Sequence, residues 1–159
     1  MQRVAQLHTQ YVNRTYGRSG SLWEGRFRSC LVQAEDYLLA CYRYVDANPV
    51  RAGLCAHPRD HEWSSYRFNA EGLPDDSMTP HDEYRRLGLI SSTRRDAYAE
   101  LFKSDPRYWR TDEIRKATNG NFALGNDTFR RSMAKALGRR VDQGKPGRPA
   151  TALKNVVCP

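Results

Sequence analysis

Long apolar runs are missing from this sequence. No stretch approaches the roughly 20 residues that a membrane helix needs, and no charged-apolar-small leader precedes the first helical pattern. The expectation is a soluble, cytoplasmic chain with no membrane partner. Cysteine is sparse: Cys30, Cys41, Cys55 and Cys158 stand far apart and form no C-x-x-C pair. Neither a disulfide framework nor a cysteine zinc site is suggested, and the four read as reduced, mostly buried thiols. Histidine is equally scattered. Among His8, His57, His61 and His81, no two are separated by a single residue. His57 and His61 could share a helical face, but Pro58 between them and the loop context favour surface roles over a metal site. No internal repeat is visible.

What is present is one domain's worth of chain, 159 residues with 39% hydrophobic and 11% aromatic content. A net charge of +8 favours an anionic partner, nucleic acid first. The charge is unevenly placed. Residues 1–34 carry five Arg against one Glu, and residues 127–154 carry eight Lys/Arg against two Asp, so basic ends flank a slightly acidic middle.

Residues 2–16 read as an amphipathic helix with Val4, Leu7, Tyr11 and Val12 on one side. A Gly/Ser turn follows at 16–21, then a strand or extended arm over 22–32, with a short strand near 26–33. The next helix begins near Glu35-Asp36 and ends at Asn48-Pro49, because proline disfavours helical backbone in the residue before it. Pro49 suits the start of a short helix and Gly53 its end. Residues 55–63 read as a loop, 63–66 as a short helical turn, and 69–80, rich in Pro, Gly and Asp, as a surface loop and hinge. Helices are predicted at 81–87, 92–103, 107–118 and 127–137, the last stopped by Gly138, before a basic tail over 139–159.

Chemistry concentrates in Tyr42-Arg43-Tyr44-Val45-Asp46-Ala47-Asn48-Pro49-Val50-Arg51. Tyr37, Cys41, Tyr44 and Asn48 share one stripe of the helix, with Leu38, Tyr42 and Val45 on a neighbouring one. A phenol one turn from a carboxamide, flanked by Arg43 and Arg51, can serve as a nucleophile beside a phosphate with an oxygen ligand for Mg²⁺ or Mn²⁺. The same residues also read as plain structure: Tyr44 half-buried, Asn48 capping the helix that begins at Pro49. Arg14, Arg18, Arg26 and Arg28 lie near Trp23 and Phe27 and are candidates for phosphate contacts. Trp23, Phe27 and Tyr66 are suited either to base stacking or to packing, with packing expected for at least two of them. In the tail, Arg139, Arg140, Lys145 and Arg148 are further candidates for DNA contact. Gly144-Lys145-Pro146-Gly147-Arg148-Pro149 partly matches the Gly-Arg-Pro core of an AT-hook.

Taken in order, Tyr16-Gly17-Arg18-Ser19-Gly20-Ser21-Leu22-Trp23-Glu24-Gly25-Arg26-Phe27, then Tyr44-Val45-Asp46-Ala47-Asn48-Pro49-Val50-Arg51-Ala52-Gly53-Leu54, then Trp63-Ser64-Ser65-Tyr66 resembles the later part of the REP-associated tyrosine transposases, single-tyrosine HUH transposases of the insertion-sequence type. The likeness is specific through about residue 68 and looser through Ala117-Thr118-Asn119-Gly120 and Phe122-Ala123-Leu124-Gly125. It implies that Tyr44 attacks single-stranded or hairpin DNA of the repetitive palindromic kind, leaving a 5′-phosphotyrosine and a free 3′-hydroxyl. It further implies that Asn48 helps to hold the metal, and that a homodimer is plausible. The family's His-hydrophobic-His motif lies upstream of everything matched here. The implied fold is therefore an α+β, mostly helical chain: an N-terminally truncated ferredoxin-like core over 1–68, a hinge at 69–80, helices over 81–138 and a basic tail. Mg²⁺ or Mn²⁺ belongs to the complete family and is not expected to be bound by this chain alone. The competing expectation is a non-catalytic DNA-binding regulator using residues 107–140 as a helix-turn-helix; a remnant with neither activity is the third.

Overall fold

Helix α2 (Ala34–Asp46) runs through the middle of the molecule and has a core on each side. The computed structural model describes residues 1–25, 27–103 and 110–144. Before α2 come α1 (Gln2–Thr15) and the two-residue strand β1 (Leu31–Val32); after it come the single turn α3 (Asn48–Arg51), a 3₁₀ turn at Pro58–Asp60 and a π-helical turn at Arg67–Glu71. Then follow α4 (Asp82–Arg85), α5 (Ser91–Glu100), α6 (Thr111–Gly120), strand β2 (Ala123–Leu124) and α7 (Asp127–Leu137). The class is α+β and mostly helical. Among the described residues no helix is long and apolar enough to cross a membrane.

Why α2 has two buried faces follows from its spacing. Leu39, Tyr42 and Asp46 recur at helical intervals and face Tyr66, Tyr84 and Tyr98 from the segments up to α5. Tyr37, Ala40, Cys41 and Tyr44 lie on another side and pack against Ile114, Ala117 and Leu124 from α6 and β2. The second core is closed by a parallel ladder in which Leu31 pairs with Ala123 and Val32 with Leu124. Gln33 extends it: its N–H donates to the Leu124 carbonyl at 2.8 Å, and its side-chain oxygen accepts from Asn126 N–H at 2.9 Å.

Several boundaries differ from the sequence expectation. The arm over 22–32 is strand only at Leu31–Val32, because Trp23 turns back onto α1. Its indole N–H reaches Thr9 Oγ1 at 3.1 Å and the Ala5 carbonyl at 3.3 Å. Helix α1 keeps its expected extent but buries none of its residues; Val4, Leu7 and Tyr11 are exposed. Helix α2 stops at Asp46, two residues early. Asn48 is not the cap of a helix starting at Pro49: it is the first residue of α3, and its carboxamide makes no capping bond. Gly53, with φ +70°, ends α3 as expected, its N–H bonding the Val50 carbonyl. The polar loop after Tyr66 begins later than residue 69, since Arg67–Glu71 winds into the π turn and Asn69 is buried. Nor does the tail leave the body at Arg139: Val141 is buried and its carbonyl accepts from Ala123 N–H at 2.7 Å. Cys30, Cys41 and Cys55 are half-buried and free. Residues 107–109 of the helix expected at 107–118 lie outside the described residues.

Candidate nucleic-acid interface

Tyr44 sits in the last turn of α2, half-buried against the cluster of Ile114, Ala117 and Leu124. The chain turns sharply after Asp46, so α3 brings Arg51 back over the tyrosine. The Arg51 guanidinium carbon lies 4.3 Å from the centre of the Tyr44 ring. One of its nitrogens donates to the Tyr44 carbonyl at 2.8 Å. That carbonyl is among the last four of α2, which have no partner within the helix. The same nitrogen also donates to the Asn48 side-chain oxygen. Arg51 thus connects the phenol and the carboxamide that the sequence singles out. Burial is the first cause lowering the Arg51 pKa, and repulsion from Arg115 adds to it.

Arg115 was not among the residues expected here. It lies on the exposed side of α6, next to Ile114, which is buried in the Tyr44 cluster. One turn further along, Asn119 accepts a hydrogen bond from the Arg28 guanidinium at 2.7 Å. The approach to β1 is held alongside: Ser29 N–H donates to Asn121 Oδ1 at 3.0 Å, and Cys30 Sγ lies 3.7 Å from Thr118 Oγ1. Arg28 thus meets α6 at Asn119, while Arg115, one turn away on that helix, lies close enough to Arg51 for their charges to repel.

The other candidates are dispersed. Arg43 points away from Tyr44, its guanidinium donating to the Leu101 carbonyl at 2.9 Å, and burial lowers its pKa. Arg43 and Arg51 are therefore not brought together at Tyr44. Arg14 and Arg18 are exposed on α1 and the turn after it, and Arg139 and Arg140 are exposed beyond α7. Arg26, Lys145 and Arg148 lie outside the described residues, as does most of the AT-hook-like segment. Tyr66 alone of the three aromatics is in a core; Trp23 and Phe27 are exposed, so the expectation that at least two would pack inside is not met. His57 caps the 3₁₀ turn, its Nδ1 accepting from Arg59 N–H at 3.1 Å, and His81 caps α4 in the same way. The helices α6 and α7 are joined through strand β2, which is paired with β1, rather than through the tight turn of a helix-turn-helix.

Asp46 is a functional-looking group that sequence reading passed over. It is fully buried, its Oδ2 accepting from the Tyr98 hydroxyl at 2.8 Å and its Oδ1 from Ser65 Oγ at 2.8 Å. Burial raises its pKa, and the bonds from Tyr98 and Ser65 oppose that rise. It faces the core away from Tyr44.

A divalent cation needs several hard oxygen ligands. Beside Tyr44 there is one carboxamide oxygen, held by the Arg51 guanidinium, and one further positive charge nearby, Arg115. No group of three or more His, Cys, Asp or Glu suited to a metal occurs among the described residues. The residues around Tyr44 do not fit Mg²⁺ or Mn²⁺. No family model matches the chain, and neither a curated protein nor a solved structure matches it.

Proposed function

We propose that this chain is a cytoplasmic DNA-handling protein of the single-tyrosine transposase kind. It would correspond to the later part of a ferredoxin-like catalytic core and act on single-stranded or hairpin DNA with Tyr44 as the nucleophile. The observation that carries the reading is the half-buried phenol at the end of α2 with the Arg51 guanidinium 4.3 Å from its ring centre. A cation there suits both a developing phenolate and a phosphodiester drawn up to it. In the proposed step the phenolic oxygen bonds to phosphorus and the P–O3′ bond breaks. The phenol proton passes to solvent, and the departing 3′-oxygen takes one up. One phosphoester is exchanged for another, so no external energy source is required. Asn48 has a different role from that implied by the resemblance: through Arg51 it orients the guanidinium rather than holding a cation.

The test is a hairpin oligonucleotide labelled at its 3′ end, incubated with the chain in Mg²⁺ or Mn²⁺ and run on a denaturing gel. A protein-linked band from the wild-type chain that vanishes in Tyr44→Phe is the expected result. If the wild-type chain forms no such band, the nucleophile assignment fails for this polypeptide.

A further inference from the structure

We propose that Arg28, Arg115 and Arg51 form a phosphate-binding row on the exposed side of α6, which takes the backbone of a single nucleic-acid strand and delivers it to Tyr44. This rests on the same site as the transposase reading, but it is a claim about binding and does not need the covalent step.

The row is assembled from three separate segments of chain. Arg28 is fixed from the β1 side by its 2.7 Å bond to Asn119. Arg51 is fixed from α3 by its bonds to Tyr44 and Asn48. Arg115 belongs to α6 and is one turn from Asn119, roughly 6 Å along the surface, and its charge acts on Arg51. The three are also uncompensated. Elsewhere Arg59, Arg85, Arg86, Lys103 and Arg130 each sit beside a carboxylate, Glu71, Asp82, Glu83, Glu100 and Asp127 respectively. Among the described residues, no ion pair neutralises Arg28, Arg51 or Arg115. Repulsion between Arg51 and Arg115 contributes to lowering the Arg51 pKa, after burial. An anion between them relieves that repulsion.

The aromatic neighbours identify the anion. Phe27 is exposed beside Arg28, and Tyr44 lies under Arg51, so a ring stands at each end of the row. Cations interleaved with rings suit unpaired bases on a phosphate backbone.

Fluorescence anisotropy with a fluorescein-labelled oligothymidylate, titrated in EDTA at several salt concentrations, tests the row. Each lost phosphate contact on a single strand should reduce the log–log salt slope by about 0.7. Arg28→Gln and Arg115→Gln are expected each to weaken binding severalfold and to lower the slope by that amount. Arg85→Gln on α4 should leave both unchanged. Titration in EDTA reads binding without the covalent step, so loss of the covalent band in the gel assay leaves this result standing. The proposal is overturned if the wild-type chain does not bind, if Arg28→Gln and Arg115→Gln keep the wild-type slope, or if Arg85→Gln weakens binding equally.

Discussion

On one side of α2, Tyr66, Tyr84 and Tyr98 are shut inside the protein; on the other, Tyr44 is only half covered. Two of the enclosed tyrosines spend their hydroxyls internally. Tyr98 donates to Asp46 at 2.8 Å and Tyr84 to the Asn69 carbonyl at 2.7 Å. Their rings meet edge-on or tilted, Tyr84 and Tyr98 with centres 5.7 Å apart and Tyr66 and Phe102 4.9 Å apart. Burial is the main cause that pushes the Tyr84 and Tyr98 phenols upward. The Tyr44 side contains smaller groups, Ala40, Cys41, Ala117 and Leu124, and its tyrosine is met by a cation. One residue type thus stands in two settings. A phenol walled in by rings and bonded to a carboxylate is held as structure, while Tyr44 is left half-exposed under a guanidinium, the setting on which the proposed nucleophile rests.

The largest effects should come from breaking the closed side. Tyr98→Phe removes one of the Asp46 donors and should cost about 1–3 kcal/mol, read as a lower urea midpoint with an unchanged slope. Asp46→Asn sharpens the point through pH. Because the folded carboxyl titrates above its ordinary 3.8, its stabilising contribution is complete below that pH and is lost as pH rises through the folded value. The stability gap between wild type and Asp46→Asn should therefore move against the wild type across that window. A gap that stays constant with pH would show that the carboxyl is not desolvated. Next in size is a kinetic effect on the open side. Burial, with Cys30 adding to it, pushes the Cys41 thiol up to about 11. Cys41 should react with iodoacetamide at pH 8 at least tenfold more slowly in the folded chain than in urea, as followed by mass spectrometry. Equal rates would mean that this side is looser than described. The smallest effect belongs to the periphery: Trp23→Phe loses the indole bonds to α1 and should cost no more than about 1 kcal/mol. Its signature is faster amide exchange in α1 alone, and a global loss of stability would contradict the peripheral placement.

Much of the helical framework was legible, because periodicity and caps are local. Helix α7 follows its pattern from Asp127 to Leu137 with Asn126 as cap and Gly138 as stop. Gly53 likewise announced the end of α3. What could not be read depends on distant partners. An aspartate in the last turn of a helix looks solvated, and only Ser65 and Tyr98, 19 and 52 residues away, make Asp46 a buried acceptor. Arg115 looked like one more charge on a helix until packing of Ile114 set it near Arg51. Arg43 and Arg51 are indistinguishable in sequence, yet helical geometry sends one to the Leu101 carbonyl and the other to Tyr44.

The short parallel ladder has a consequence for how this molecule comes into being. Ser29 and Asn121, which bond to each other beside it, are 92 residues apart in the chain. As the polypeptide is synthesised, Tyr44 emerges long before the wall that half encloses it, and closing so long a loop is entropically late. An unfinished chain therefore carries the phenol but neither its shelter nor Arg115. The site comes of age only with the last third of the sequence.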